Sequence, residues 1–264
     1  MFTAHPDNMR MEPTPERVFS VCRLVSQKSL TRDELRNALT LGEAKSNNII
    51  NYAIDIAEKD LKIIQSKDDK LTLLQNKNIL TSPVSFRRYV SANAFSLQTS
   101  TFYIFTKWVI SQNERAFFID KWEVLAKTAE KEVETLSDID ENAALGWRFW
   151  ASFLGIGYLN ETNFLPNMKI RIQDILATEF SKSFKYSEKI RAKDFISWIS
   201  LRITEVNFEG NLPLAFSSGL RTLHDLGLIV LESKLDTERI FLFYVDGDPI
   251  NDFSHITVTE EVCL

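Results

Sequence analysis

The sequence predicts a mainly α-helical fold with short β-hairpins, of the α+β class. Three observations carry that expectation. Apolar residues recur at helical spacing through most of the chain, short apolar runs flank polar turns, and the two patterns succeed one another in the same order three times over. Helix, helix, helix, hairpin is the order of a winged helix, so the expected architecture is three tandem winged-helix modules. They are placed at residues 1–78, 79–167 and 168–250, followed by a tail at 251–264.

The first pass opens with "PERVFSVCRLVSQ". Pro15 suits a first helical turn, and Val18, Val21, Cys22 and Val25 share one face. In "TRDELRNAL", Thr31 is a natural N-cap and Glu34 completes a capping box. "SNNIINYAIDIAEKDL" puts Ile50, Ala53, Ile54, Ala57 and Leu61 on one side, and "KIIQSKDDKLTLL" follows as two strands about a polar turn. Residues 76–88 are expected to connect this module to the next.

The middle pass reads "STFYIFTKWVISQ", "DKWEVLAKTAEKEVETL" and "ENAALGWRFWASFLG", then the hairpin "IGYLNETNFLP" with Asn160, Glu161 and Thr162 at its tip. The third pass has helices in "RIQDILATEF" and "RAKDFISWISLRI". A longer one after Pro213 is expected to bury Phe216, Leu220, Leu223 and Gly227. Its wing is read as "LIVLES" and "RIFLFYV" joined by "KLDTE". Gly155 and Gly227 are placed to supply the left-handed residue that stops a helix.

Composition bounds the function. The 264 residues carry 31 basic and 36 acidic side chains, a net charge of −5. That argues against a protein coating nucleic acid non-specifically, because such binding rests on neutralising phosphates. Residues 1–80 hold 12 basic and 11 acidic side chains, residues 81–165 hold 8 and 10, and residues 166–264 hold 11 and 15, so no module is basic as a whole. No apolar run reaches the roughly 18 residues of a membrane span. The opening "MFTAHPDNMRMEPTP" lacks an apolar signal region, and Cys22 and Cys263 stand far apart with no metal-ligand spacing. The expected location is the cytoplasm, with no membrane partner, metal or cofactor.

A recognition helix reads bases with its outward face. In the first module that face offers Asn48, Asn51 and Tyr52 with Asp55 and Lys59; in the third it offers Ser218, Arg221, Thr222 and Asp225. The middle helix is apolar around nearly its whole circumference, and Trp147, Trp150 and Phe153 are expected to meet a neighbouring module or a partner protein. The densest basic stretch is "KSFKYSEKIRAK", with Lys182, Lys185, Lys189, Arg191 and Lys193 around Phe184 and Tyr186. It is either a strand-binding surface of cations and stacking aromatics or a solvated loop.

Catalytic signatures are lacking. His5, His224 and His255 are scattered, with His224 expected to pack or cap, and no phosphate-loop, dinucleotide, metalloprotease or nucleophile-elbow string occurs. Asp246, Asp248 and Asp252 suit either a divalent cation or an ordinary turn, and "SDIDEN" from Ser137 precedes a helix whose N-terminus favours acids. The expectation is a protein without enzymatic activity and without a small-molecule substrate.

Three groups of strings together carry a resemblance over nearly the whole chain: "TPERVFSVCRLV" with "TRDELRNAL", "FTKWVIS" with "LGWRFWASFLGIGYL" and "NFLPN", and "SSGLRTLHDLGLIVLES". They resemble the DpdG family of the bacterial dpd locus, which places 7-deazaguanine derivatives in DNA and restricts DNA lacking them. The resemblance implies a subunit of a restriction or phage-defence complex, whose partners are other defence proteins and whose DNA contact is weak or indirect. It transfers no site residues, because its motifs are packing signatures. A second resemblance is to the winged-helix subunits of SMC-type complexes, which clamp a kleisin chain but have two winged helices. From the residues alone, the alternative is a sequence-specific transcriptional regulator reading an operator through Asn48, Asn51 and Tyr52.

Overall fold

The computed structural model describes residues 1–2, 9–40, 48–118, 121–137, 139–161 and 163–263. It is mixed α+β, 54% helical and 13% strand, with small antiparallel sheets. Among the described residues, no helix is long and apolar enough to cross a membrane. The chain forms two compact units, Met1–Phe105 with Lys121–Leu154, and Thr106–Asp120 with Gly155–Leu264.

In the first unit, α1 (Pro15–Gln27) buries Val18, Val21, Cys22 and Val25, and α2 (Arg32–Leu39) starts on the expected capping box. Thr31 Oγ1 accepts from the Glu34 N–H at 3.1 Å, and Glu34 accepts from the Thr31 N–H at 2.8 Å. Burial pushes the Cys22 thiol well above its ordinary pKa. Helix α3 (Asn48–Asp55) buries Ile50, Ala53 and Ile54 and widens into a π turn, Ile56–Asp60.

Strands β1 (Ile64–Lys67) and β2 (Lys70–Leu73) follow, with Lys67 opposite Lys70. Asp68 and Asp69 between them have φ of 50° and 59°. Two left-handed residues in a row make the turn whose twist matches a tight hairpin, and Asp is among the residues that tolerate it. Leu30, between α1 and α2, bridges Leu71, so the hairpin is tied back to the helices.

The expected connector at residues 76–88 runs into a helix instead. Helix α4 (Pro83–Ala94) has Ser82 as N-cap and Pro83 in its first turn, and it buries Phe86, Val90 and Ala94. Their spacing of four residues was the available signal. Helix α5 (Thr101–Ser111) follows, then α6 (Trp122–Glu132) and α7 (Glu141–Phe153), the last capped by Asp140, which accepts from the Ala143 N–H at 2.7 Å. That cap gives Asp140 of "SDIDEN" a structural role; Asp138 lies outside the described residues.

The hairpin β3 (Gly157–Asn160) and β4 (Asn163–Pro166) belongs to the second unit, whereas α4, α6 and α7 belong to the first. Asn160 pairs with Asn163, which puts Glu161 in the tight turn at φ 55°; Thr162 lies outside the described residues, as does His5.

The second unit continues with α8 (Lys169–Glu179), β5 (Lys189–Arg191), α9 (Ala192–Ser200) and α10 (Leu214–Asp225). Next are β6 (Ile229–Glu232), β7 (Ile240–Phe241), β8 (Asp252–Phe253) and β9 (His255–Val258). Two expectations fail here. The run "RIFLFYV" is not the partner of β6: its Ile240 and Phe241 pair with Phe253 and Asp252. The return strand of the wing is β9, from the expected tail, and it is central in a sheet of order β5-β9-β6.

Physically, β9 offers Ile256 and Val258 to the core while "RIFLFYV" lacks a clean alternation, so the more distant segment makes the better half-buried strand. Gly227 also departs from the expected core face. It is exposed and stops α10 at φ 71°, as Gly155 stops α7 at φ 78°.

Candidate nucleic-acid and partner interfaces

The basic stretch runs from the short turn that follows α8 through β5 into the first turn of α9, and each of its cations has a carboxylate partner. Lys182 pairs with Glu179 at 2.6 Å, Lys185 with Glu188 at 3.5 Å, Arg191 with Asp194 at 2.8 Å and Lys193 with Glu238 at 3.2 Å. Lys189 pairs with Glu232, and its hydrogen bond holds that carboxyl below the usual range. Such exposed pairs contribute little to stability. They do cancel the field that would draw a phosphate chain.

The interleaved aromatics are turned inward. Phe184 and Tyr186 lie 5.4 and 5.2 Å from the ring of buried Phe180, Phe184 meets Trp198 at 5.8 Å, and the Tyr186 hydroxyl donates to Leu176 O at 3.1 Å. A cleft of about 360 Å³ is lined by Lys182 and Lys185 but also by Glu188. With both aromatics half-buried and every cation beside a carboxylate, the stretch fits the solvated loop better than the strand-binding surface.

Arg221 is a correction. It is 6% exposed, and its guanidinium donates to Phe243 O at 2.8 Å and to Ile250 O at 2.8 and 3.0 Å, with Asp248 at 2.9 Å. A guanidinium consumed by two carbonyls and a carboxylate cannot reach a base. The helix that carries it packs closely on α8: a Cβ at Gly219 would lie 2.8 Å from both Met168 C and Lys169 N. Thr222 accepts from Asn167 Nδ2 at 3.1 Å. Of the face of α10 read as outward, Arg221 and Thr222 therefore meet their own unit, while Ser218 is half-exposed and Asp225 exposed.

Helix α7 takes the first of its two expected contacts, the neighbouring module, which corrects the partner assignment for two residues. Trp147 and Trp150 are 0% exposed. Trp147 meets Phe105 edge-on at 5.1 Å, and Trp150 donates through Nε1 to Pro13 O at 2.8 Å. Gly146 sits where the Arg10 backbone passes, 2.4 Å from any added Cβ. The apolar circumference closes the core of the first unit, so no partner reaches either tryptophan in the folded protein. Phe153 is half-buried, beside Phe86 at 5.8 Å and Trp150 at 6.1 Å.

Helix α3 keeps an open side. Asn48 is exposed and Asn51 half-exposed. Tyr52 is engaged, since Arg10 stacks 4.8 Å over its ring and donates to its hydroxyl at 3.1 Å. Beside them Arg32 holds Asp55 at 3.3 Å and Glu58 at 2.6 Å, while Lys59 pairs with Asp55 at 3.2 Å. Arg10 and Arg32 were missed from sequence, because nothing local marks a partner more than twenty residues away.

The three aspartates do not converge. Asp248 faces Arg221, Asp252 pairs with Arg239 at 3.2 Å, and Asp246 accepts from the Tyr244 hydroxyl at 3.4 Å. Among the described residues, no group of three or more His, Cys, Asp or Glu side chains is arranged to hold a metal. His224 Nδ1 accepts from the Leu231 N–H at 3.2 Å, which ties α10 to β6, and His255 lies on β9 beside Ser254. No family model, curated protein or solved structure matches this chain.

Proposed function

We propose that the protein is a non-enzymatic adaptor of tandem winged-helix modules, a subunit of a bacterial DNA-restriction or phage-defence complex whose DNA contact is weak or indirect. The order α1, α2, α3, β1, β2 with the Leu30 bridge supports a first module, and α8, α9, α10 with the β5-β9-β6 sheet supports another. The middle module rests on the helix-then-hairpin order alone. The family resemblance supplies the defence setting.

One observation carries the adaptor reading over a DNA reader. The helices in recognition position, α7 and α10, spend their side chains on their own units, and the basic stretch is ion-paired. Affinity capture of the full chain from its native host tests it. Recovery of restriction or defence proteins at physiological salt is expected, and capture of none overturns the reading.

A sequence-specific regulator is the second reading, favoured by the open Asn48 and Asn51 on α3, since asparagine pairs with adenine through two hydrogen bonds. Here the Asn48→Ala, Asn51→Ala double variant should lose site selection while melting as the parent does. Unchanged DNA binding in that variant removes the regulator.

A further inference from the structure

The segment between β6 and β9 is far longer than a wing turn, and it is held with unusual economy. From α10, Arg221 takes the carbonyls of Phe243 and Ile250 and the carboxylate of Asp248. Buried Ser217 accepts from the Phe243 N–H at 2.9 Å. Leu242 N–H donates to Asn251 O at 2.9 Å, and Asp248 N–H to Val245 O at 3.2 Å, closing a turn with Gly247 at φ 78°. Leu242 is the apolar anchor, 2% exposed.

What this frame presents to solvent is apolar. Phe241 is 51% exposed, Tyr244 65% and Val245 36%, with Leu235 at 88% in the preceding turn. Large aromatics on a backbone fixed in advance lose little freedom on binding, which is the condition for an interface anchor. The charge around them that is not taken up in ion pairs is acidic. Of the seven carboxylates between Asp225 and Asp252, Glu232, Glu238, Asp248 and Asp252 pair with Lys189, Lys193, Arg221 and Arg239, and Asp225, Asp236 and Asp246 stand in none of these pairs. Asp236 adjoins Leu235, and Asp246 adjoins Val245.

We propose that the 241–245 edge of this elaborated wing is a protein-docking surface, whose partner presents an apolar segment flanked by lysine or arginine. Nucleic acid and anionic lipid are repelled by the same carboxylates that attract such a segment. The proposal rests on the adaptor reading and names the surface through which it acts.

Selection from a random peptide library against the full chain tests it. The selected peptides should combine Trp, Phe or Leu with Lys or Arg. Their affinity should fall by about tenfold or more in the Phe241→Ser, Tyr244→Ser double variant, as for a central aromatic anchor. It should persist in Leu201→Ser, which removes another exposed apolar residue, 77% accessible, outside the surface.

Peptides without basic bias, equal binding by the double variant, or no selected peptide overturns the proposal. Capture of host proteins equally by parent and double variant removes this surface and leaves the adaptor standing. Capture of none removes both.

Discussion

Arg221 looks like a DNA contact in the sequence because it is a cation one turn from the apolar stripe of α10. The difference lies in what the chain brings back to it: a loop more than twenty residues on offers two carbonyls and a carboxylate. Replacing it by methionine keeps the volume and leaves those acceptors without a donor. The expected cost is about 2–3 kcal/mol in urea unfolding, with DNA affinity unchanged; weaker DNA binding at unchanged stability would restore it as a reader. Tyr186 gives a second check. Burial, and then the Cys263 sulfur 3.3 Å from its hydroxyl, which favours the neutral phenol, push it up to about 12. A raised folded value favours the neutral phenol, so its contribution is complete below the unfolded value of roughly 10 and is lost as pH rises through about 12. The alkaline absorbance difference between the parent and Tyr186→Phe should titrate near 12, and a phenol titrating near 10 contradicts the buried placement.

At the scale of elements, what local chemistry specifies was legible. The Thr31–Glu34 capping box, the Val18 to Val25 stripe and the glycine stops at Gly155 and Gly227 all stand where spacing and side-chain type put them. Helix α4, expected as a connector, is equally local: Ser82 and Pro83 start it and Phe86, Val90 and Ala94 share its buried face. Strand β9 was not local. Its pairing with β6 spans more than twenty residues, and the nearer "RIFLFYV" has the stronger strand composition. Likewise no residue of the basic stretch announces Glu232 or Glu238 as partners. The α8–α10 contact offers a direct test. Gly219→Ala puts a methyl into the Met168–Lys169 backbone, an overpacking worth about 1–3 kcal/mol, and an unchanged melting temperature would show that the two helices are not so close.

For the whole molecule, the three passes and the two compact units describe different things. The passes are an order of elements along the chain; the units are what packs together, and the middle pass gives α6 and α7 to one, its hairpin to the other, and divides α5 between them. Function follows from charge and burial at this scale. A net charge of −5, an ion-paired basic stretch and the inward side chains of α7 support the proposal of an adaptor that works through protein contacts. The most direct measurement is a fluorescence-anisotropy titration of the full chain against a labelled duplex of mixed sequence, across a range of salt. The expected result is a Kd of roughly 10⁻⁴ to 10⁻⁶ M at physiological salt, weakening as salt rises and indifferent to sequence. A nanomolar complex with one preferred sequence would contradict the adaptor.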